Sequence, residues 1–338
     1  MISKNYLKKI KVGIIGLGVG ERHLQALLKN KKCEIVSVCD LDKKKLLTIK
    51  KKYKVHCTTN SNNILNNKEI NMVSIASYDN HHFNHARKAL KNNKHVFIEK
   101  PAVLKESQLI KLKKILNKKK KLAFFTNVIL RKSERFIKLK NNIKKNYFGE
   151  IYYIEADYNY GRLHKILNGW RSEIPYYSVT LGGGIHMIDL IMWLTEKRIL
   201  EVSSYSNKIV TKNKKFKHHD FSTSILKFAD GKIAKVSSNF GCVYPHFHKL
   251  SVYGKNKTFE NDFRFAKIFK KRESYNFEKD KTKLKPDDKG ALITDFIEIL
   301  NNTQVRKKLI KDTFDSLSVC FAVEKSIKIN QKVKVKYI

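Results

Sequence analysis

The chain has 338 residues, 42% of them hydrophobic, enough for two domains with their own cores and too apolar for a disordered chain. The formal charge of +41 invites a nucleic-acid or anionic-membrane reading, yet only ten of the 71 basic residues are Arg, on which base-edge and phosphate readers lean. The abundant Lys comes together with abundant Asn and Ile, which share A/T-rich codons, so specific nucleic-acid binding is not expected.

In chain order, a basic segment at 1–11 is followed by a short apolar strand at 11–15 and a helix at 21–28. A second strand at 34–39 ends at Asp40, and a Lys-rich helix spans 43–53. Strands at 72–76, 95–98 and 122–125 then alternate with helices at 82–90 and 107–116. The dense lysines of 111–121 interleave Leu112, Ile115 and Leu116, the pattern of a solvated helix with one apolar stripe. Short strands separated by helices predict right-handed crossovers and a parallel sheet. Beyond Asn127 the pattern changes. Alternating strands at 151–158, 201–210, 222–228, 232–239 and 248–254, with an Asp230-Gly231 turn, predict an antiparallel sheet. One helix at 185–194 interrupts it, 270–289 reads as a charged exposed loop, and helices at 291–300 and 313–327 follow.

No apolar run nears the roughly 18 residues of a membrane span. No small-residue cleavage site follows the basic start, so no signal peptide is expected. Five scattered cysteines without a CxxC fit a reducing compartment, and a cytoplasmic protein is expected.

The segment Gly13-Ile14-Ile15-Gly16-Leu17-Gly18-Val19-Gly20 joins a predicted strand to a predicted helix. Glycines there permit a tight turn and close approach of a pyrophosphate to a helix N-terminus. The third glycine falls at Gly20, with Glu21 in the usual sixth place. Asp40, at the end of the second strand, is placed to accept hydrogen bonds from an adenosine ribose. Its charge would repel a 2′-phosphate, which favours NAD; Lys43, Lys44 and Lys45 pull the other way and keep NADP open.

Further motifs fall into order: Ala76-Ser77-Tyr78-Asp79-Asn80-His81-His82, then Glu99-Lys100-Pro101, then Gly184-Ile185-His186-Met187-Ile188-Asp189 running into Trp193-Leu194. Glu-Lys-Pro at a strand end with a later G-x-H-x-x-D helix resembles the glucose–fructose oxidoreductase / inositol dehydrogenase / MocA family, from about Lys11 to Ile327. The resemblance implies an α/β protein. Residues 1–126 would form a doubly wound parallel Rossmann domain. Residues 127–338 would form an α+β domain with a large, mostly antiparallel open sheet, its last helices able to pack back on the first domain. It implies a cofactor held at Gly16, Leu17, Gly18, Val19, Gly20 and Asp40, with Ser77, His82, Glu99 and Lys100 also near it. Lys100 would contact the reacting hydroxyl beside the nicotinamide, and His186 would act with it in proton transfer. The Lys100–Pro101 bond would be cis. A homo-oligomer is implied as well.

The residue chemistry agrees, since oxidising a secondary alcohol needs a proton acceptor and an oxyanion stabiliser, and His186 and Lys100 are suited to those roles. Asp189, three residues after His186, is on the same helical face and could fix its tautomer. Many family members carry an acid four residues before the histidine; here that position is Gly182. His81, His82 and His85 cluster without a nearby carboxylate or cysteine, so no metal is expected. Asn127 ends a strand within reach of nicotinamide or substrate. Arg131 and Arg135 suggest an anion clamp or, equally, a surface helix. Tyr158, Tyr160, Arg162, Trp170 and Arg171 suit a sugar ring or phosphate, or a covering loop. His246 and His248 face one side of a strand. The expected activity is hydride transfer between NAD and a secondary alcohol of a sugar, cyclitol or sugar nucleotide. Competing expectations are reduction of an unsaturated or imine substrate, and a family member that binds cofactor without catalysis.

Overall fold

The computed structural model describes residues 9–284 and 290–338. The basic start and positions 285–289 of the expected loop lie outside the described residues. The chain divides into two units, 9–127 with 290–313 and 128–284 with 314–338.

The first unit runs β1 (Ile10–Ile15), α1 (Gly20–Leu28), β2 (Cys33–Cys39), α2 (Lys43–Tyr53), β3 (Cys57–Thr58), α3 (Asn62–Leu65), β4 (Met72–Ile75), α4 (Asp79–Lys91), β5 (His95–Ile98), α5 (Glu106–Lys118) and β6 (Phe124–Thr126). The six strands are parallel in the order β3-β2-β1-β4-β5-β6. The order reverses between β1 and β4, the place where doubly wound sheets open a crevice at their carboxyl edge. The sequence explains the layers. All four residues of β4 are buried, as a strand covered on both faces requires. In α2, Leu46 and Ile49 face inward while lysines face water. That helix starts where the Asp42 carboxylate accepts from the Lys45 amide at 3.1 Å, and ends at Lys54 in the left-handed conformation.

The second unit contains α6 (Glu134–Lys144), β7 (Ile151–Asn159), α7 (His164–Leu167), α8 (Ile185–Thr195), β8 (Ile199–Asn207), β9 (Phe221–Phe228), β10 (Ile233–Asn239), β11 (Phe247–Gly254), β12 (Thr258–Asn261), β13 (Ala266–Phe269) and β14 (Glu278–Asp280). The chain continues through α9 (Ala291–Glu298), α10 (Thr303–Ile329) and β15 (Val333–Lys334). The nine strands order as β14-β13-β12-β11-β7-β10-β9-β8-β15. Within the first unit, Phe296 of α9 packs on Phe97 of β5 with ring centroids 5.5 Å apart.

The second sheet is mostly antiparallel, as expected, with one parallel pairing, that of β7 with β10. A parallel neighbour needs a long connection, and α7, α8, β8 and β9 supply it between these two strands. The stretch expected to be loop contains β14, whose Asp280 is buried and accepts from the Thr282 amide at 3.0 Å. Three charged residues on a sheet edge give no alternation to read.

Candidate active site

In the first unit every motif residue follows the carboxyl end of a strand: Gly16 after β1, Asp40 after β2, Ser77 after β4, Glu99 and Lys100 after β5, and Asn127 after β6. Gly16 has φ +86°, and a Cβ there would stand 2.4 Å from the Ala76 carbonyl oxygen, so only glycine fits this turn. Leu17 is buried and Val19 half-exposed. Gly18 has nothing within 4 Å of the place a Cβ would take, so its backbone faces open space. A cavity of about 350 Å³ lies against this turn, lined also by Asp40, Lys45, Ser77, His81 and His85. A bare glycine backbone at a helix N-terminus beside a cavity of this size fits a dinucleotide pyrophosphate.

Asp40 does more than face this cavity. One carboxylate oxygen accepts from the Leu17 amide at 2.7 Å and lies 3.5 Å from the Lys45 ammonium; the other accepts from the Asp42 amide at 3.0 Å. The residue thus fastens β2 to the glycine turn. Ser77 pairs its hydroxyl with His85 at 3.1 Å. Burial, then His81 and His82, hold His85 down to about 4. His82 does not line the cavity. It is fully buried, with its ring nitrogens 2.7 Å from the Pro101 carbonyl and 2.9 Å from the Ser77 carbonyl. It therefore ties the start of α4 to the Glu-Lys-Pro turn, whose Lys100–Pro101 bond is cis.

Sequence reasoning missed His23. Its ring, on α1, is fully buried between the Ser74 hydroxyl at 2.9 Å and the Glu99 carboxylate at 3.2 Å. The Asn127 amide donates to the same Glu99 oxygen at 2.6 Å. Burial pushes the Glu99 carboxyl up, but the His23 and Asn127 hydrogen bonds and the adjacent Lys100 charge outweigh it, and the net effect is downward. An ionised Glu99 is thus fixed next to Lys100. No local signal in the sequence could have found it, since His23 and Glu99 are brought together only by the fold.

In the second unit a π-helical turn, Thr180–Gly184, leads into α8. His186 is buried on the first turn of that helix, stacked on Tyr158 at 5.8 Å and edge-on to His248 at 5.8 Å. Tyr158 of β7 is in register with His248 of β11, and the His246 ring is 5.0 Å from that of His248. Phe240 stacks on Tyr160 at 4.5 Å and contacts Tyr158 at 5.6 Å. Burial, followed by the neighbouring phenols of Tyr177 and Tyr160, raises the Tyr158 hydroxyl far above its usual range against the pull of Arg171 and Arg162. Arg162 lies over the Tyr160 ring at 5.7 Å and Arg171 over Trp170 at 4.5 Å. The arrangement is an aromatic wall with imidazole and guanidinium groups set in it, suited to the apolar faces and hydroxyls of a polyol.

Three expectations meet a different geometry. Asp189, expected to orient His186, receives Arg131 in a bidentate pair at 2.9 and 2.6 Å, and the Ser316 hydroxyl at 3.0 Å. Arg131 is therefore engaged by a buried carboxylate, where the sequence offered an anion clamp or, equally, a surface helix. Arg135 is buried and donates to the Thr282, Asp262 and Arg264 carbonyls and the Asn261 side chain. Among the described residues no group of three or more His, Cys, Asp or Glu is placed to hold a metal ion.

These features define a dinucleotide-binding Rossmann domain coupled to an open-sheet α+β domain. The family described as "Oxidoreductase family, NAD-binding Rossmann fold" matches residues 10–127, and the GFO/IDH/MocA C-terminal domain matches 136–260. The chain belongs to the GFO/IDH/MocA oxidoreductase family, and its first domain matches that family's NAD-binding Rossmann fold. An inositol 2-dehydrogenase of Salmonella typhimurium is 26% identical over 206 residues, 58% of this chain and 57% of that protein. The chain thus spans less than two thirds of that relative's length. The structure of myo-inositol 2-dehydrogenase from Lactobacillus plantarum is similar with TM-score 0.82 and 21% identity, over 97% of this chain and 100% of that one. That of scyllo-inositol dehydrogenase from Lactobacillus casei, with bound NAD(H) and scyllo-inositol, is similar with TM-score 0.78 and 17% identity, over 97% and 99%. At such identities the likeness is one of fold.

Proposed function

We propose that this protein transfers a hydride between NAD and a secondary alcohol of a sugar, cyclitol or sugar nucleotide. The observation that carries the reading is the carboxyl edge of the first sheet, where the glycine cradle after β1 and the fixed Glu99-Lys100 pair after β5 belong to one surface. Gly16, Gly18 and Asp40 would hold the dinucleotide, which supplies the hydride acceptor when bound. The Lys100 ammonium orients the substrate oxygen and stabilises its developing negative charge. The His186 imidazole takes the hydroxyl proton. Asp189 enters as the ion-pair partner of Arg131. The inositol dehydrogenases among its relatives support a cyclitol as the first substrate class to try. Protomers are proposed to associate, as an open sheet face carrying Tyr205 and Ile225 at 64% and 47% exposure would favour.

The test is Lys100→Met. Turnover of cyclitols and sugars falls by about a thousandfold or more, a loss in line with removal of a charge-stabilising group that also positions the substrate. NADH binding, read by fluorescence titration, stays within about twofold because the cradle is elsewhere. Retained turnover removes Lys100 from the chemistry. A second reading, a cofactor-binding protein without catalysis, draws on Gly182; it predicts tight NADH binding and no turnover of any polyol by the unaltered protein.

A further inference from the structure

Helix α4 carries two distinct faces. His82, Ala86, Ala89 and Leu90 are buried and seat it on the first unit. Asn84, Arg87, Lys88 and Lys91 follow the spacing i, i+3, i+4, i+7 and form one stripe along the helix. That stripe lines a cavity of about 300 Å³, faced by Ser61, Asn62 and Leu65 at α3. Among the described residues no carboxylate lines it. Cations three and four places apart on a helix repel one another, so Arg87 and Lys88 each weaken the helix against Lys91 until an anion comes between them.

The donors are held ready. Lys88 donates to the Asn62 Oδ1 at 2.6 Å and keeps two further N–H groups. Arg87 lies over the Phe83 ring at 5.7 Å, a contact that steadies the side chain without spending its N–H donors. Around them stand two amide side chains and the Ser61 hydroxyl, with Leu65 as the one aliphatic side chain. This donor set suits a phosphoryl group, to which arginine offers paired hydrogen bonds and lysine a point charge. The cavity shares Ser61 and His85 with the one against the glycine turn, yet Gly16, Gly18, Asp40 and Lys45 line only the latter. The cofactor's pyrophosphate, and any substituent on its ribose beside Asp40, therefore belong to the first cavity. A ligand in the second is another molecule.

We propose that the hollow between α3 and α4 binds a phosphoryl group of a small molecule beside the dinucleotide, with Arg87 and Lys91 as its main anchors. The site lies within the first unit and does not depend on the hydride-transfer reading. It differs from the solvated lysines of α5, where Lys113 and Lys114 are exposed and line neither cavity.

The experiment is isothermal titration of the full-length protein, saturated with NADH so that the glycine turn is filled, at physiological salt so that exposed charges are screened. The probes are inorganic phosphate and glucose 6-phosphate. The double variant Arg87→Met, Lys91→Met is compared with Lys113→Met, Lys114→Met, which removes the same charge from α5. All four side chains are exposed, so thermal unfolding is expected to stay the same in both variants. The unaltered protein is expected to bind at least one probe, the Arg87, Lys91 variant at least about tenfold more weakly, as losing a charge-assisted hydrogen bond dictates, and the α5 variant within about twofold. Tighter binding of the sugar phosphate assigns the site to a phosphorylated metabolite, and equal binding assigns it to free phosphate; both support the proposal. No binding beyond that of chloride at equal ionic strength overturns it. So does binding that survives in the Arg87, Lys91 variant, which places the probe elsewhere, or an equal loss in the α5 variant, which leaves only the general positive charge of the protein.

Discussion

Arg131 and Asp189 bring opposite charges into the interior of the second unit, with side-chain exposures of 9% and 2%. Removing one partner of such a pair strands the other charge away from water. Arg131→Met is expected to destabilise the protein by about 3 kcal/mol in denaturant unfolding, and the added change Asp189→Leu to recover most of the loss. A loss below about 1 kcal/mol for the single variant would mean that water reaches the carboxylate. In the sequence Asp189 was legible as a helix neighbour of His186, and Arg131 as one of two closely spaced arginines. That they choose each other was not, because the pairing is made by tertiary packing across distant segments. His23 is the same case: nothing local to α1 announces that its imidazole meets Glu99. Lys94 is another, buried with its ammonium donating to the Asn67 and Ile70 carbonyls, and indistinguishable in sequence from the solvated lysines around it.

At the scale of elements, the parallel sheet was legible almost throughout, because its strands are short apolar runs bounded by helices with one apolar stripe. α2 and β5 fall where their patterns put them. β3 is two residues long and left no pattern. α10 begins ten residues before its predicted start, since Thr303 to Asp312 is polar and Lys-rich and shows little periodicity. The π-helical turn at Thr180–Gly184 hid behind a run of glycines that reads as a loop; it leads into the helix that holds His186, and its Gly182 lies against the Tyr177 phenol. The motifs were the most readable parts of the site, as each demands a residue type at a fixed place on a strand–turn–helix element. The aromatic wall was readable only as a list of residues, since β7, β11 and the segment after β10 are joined by sheet register, which no local pattern encodes.

At the scale of the whole molecule, the large positive charge rests on lysines along solvated helix faces, and no described helix is long and apolar enough to cross a membrane. Two half-buried histidines shape the response to acid. His85 and His95 are each held down to about 4, by burial first, then by His81 and His82 for the one and by Arg306 for the other. The neutral ring of His95 also accepts from the Ala123 amide at 3.0 Å, a bond protonation would break. Unfolded, both titrate near 6.5. Between about pH 6.5 and 4 the unfolded chain therefore binds more protons than the native one. Their contribution is fully present above about 6.5 and is lost as the pH falls through this window. Denaturant unfolding from about pH 7.5 down to about pH 5 should show falling stability, with proton uptake rising toward roughly two, and a shallower slope for His95→Gln. Equal stability across that range would contradict the neutral state of these two rings. The lowered Glu99 carboxyl adds a further loss only below about 4.5.

The central claim is that a carbinol hydrogen passes to the nicotinamide ring. It is tested most directly by incubating the protein with NAD and a cyclitol deuterated at the reacting carbon, and reading the mass of the reduced cofactor. The account predicts NADH carrying the deuterium and a matching ketone. Unlabelled NADH, or no NADH with any cyclitol or sugar offered, would contradict it.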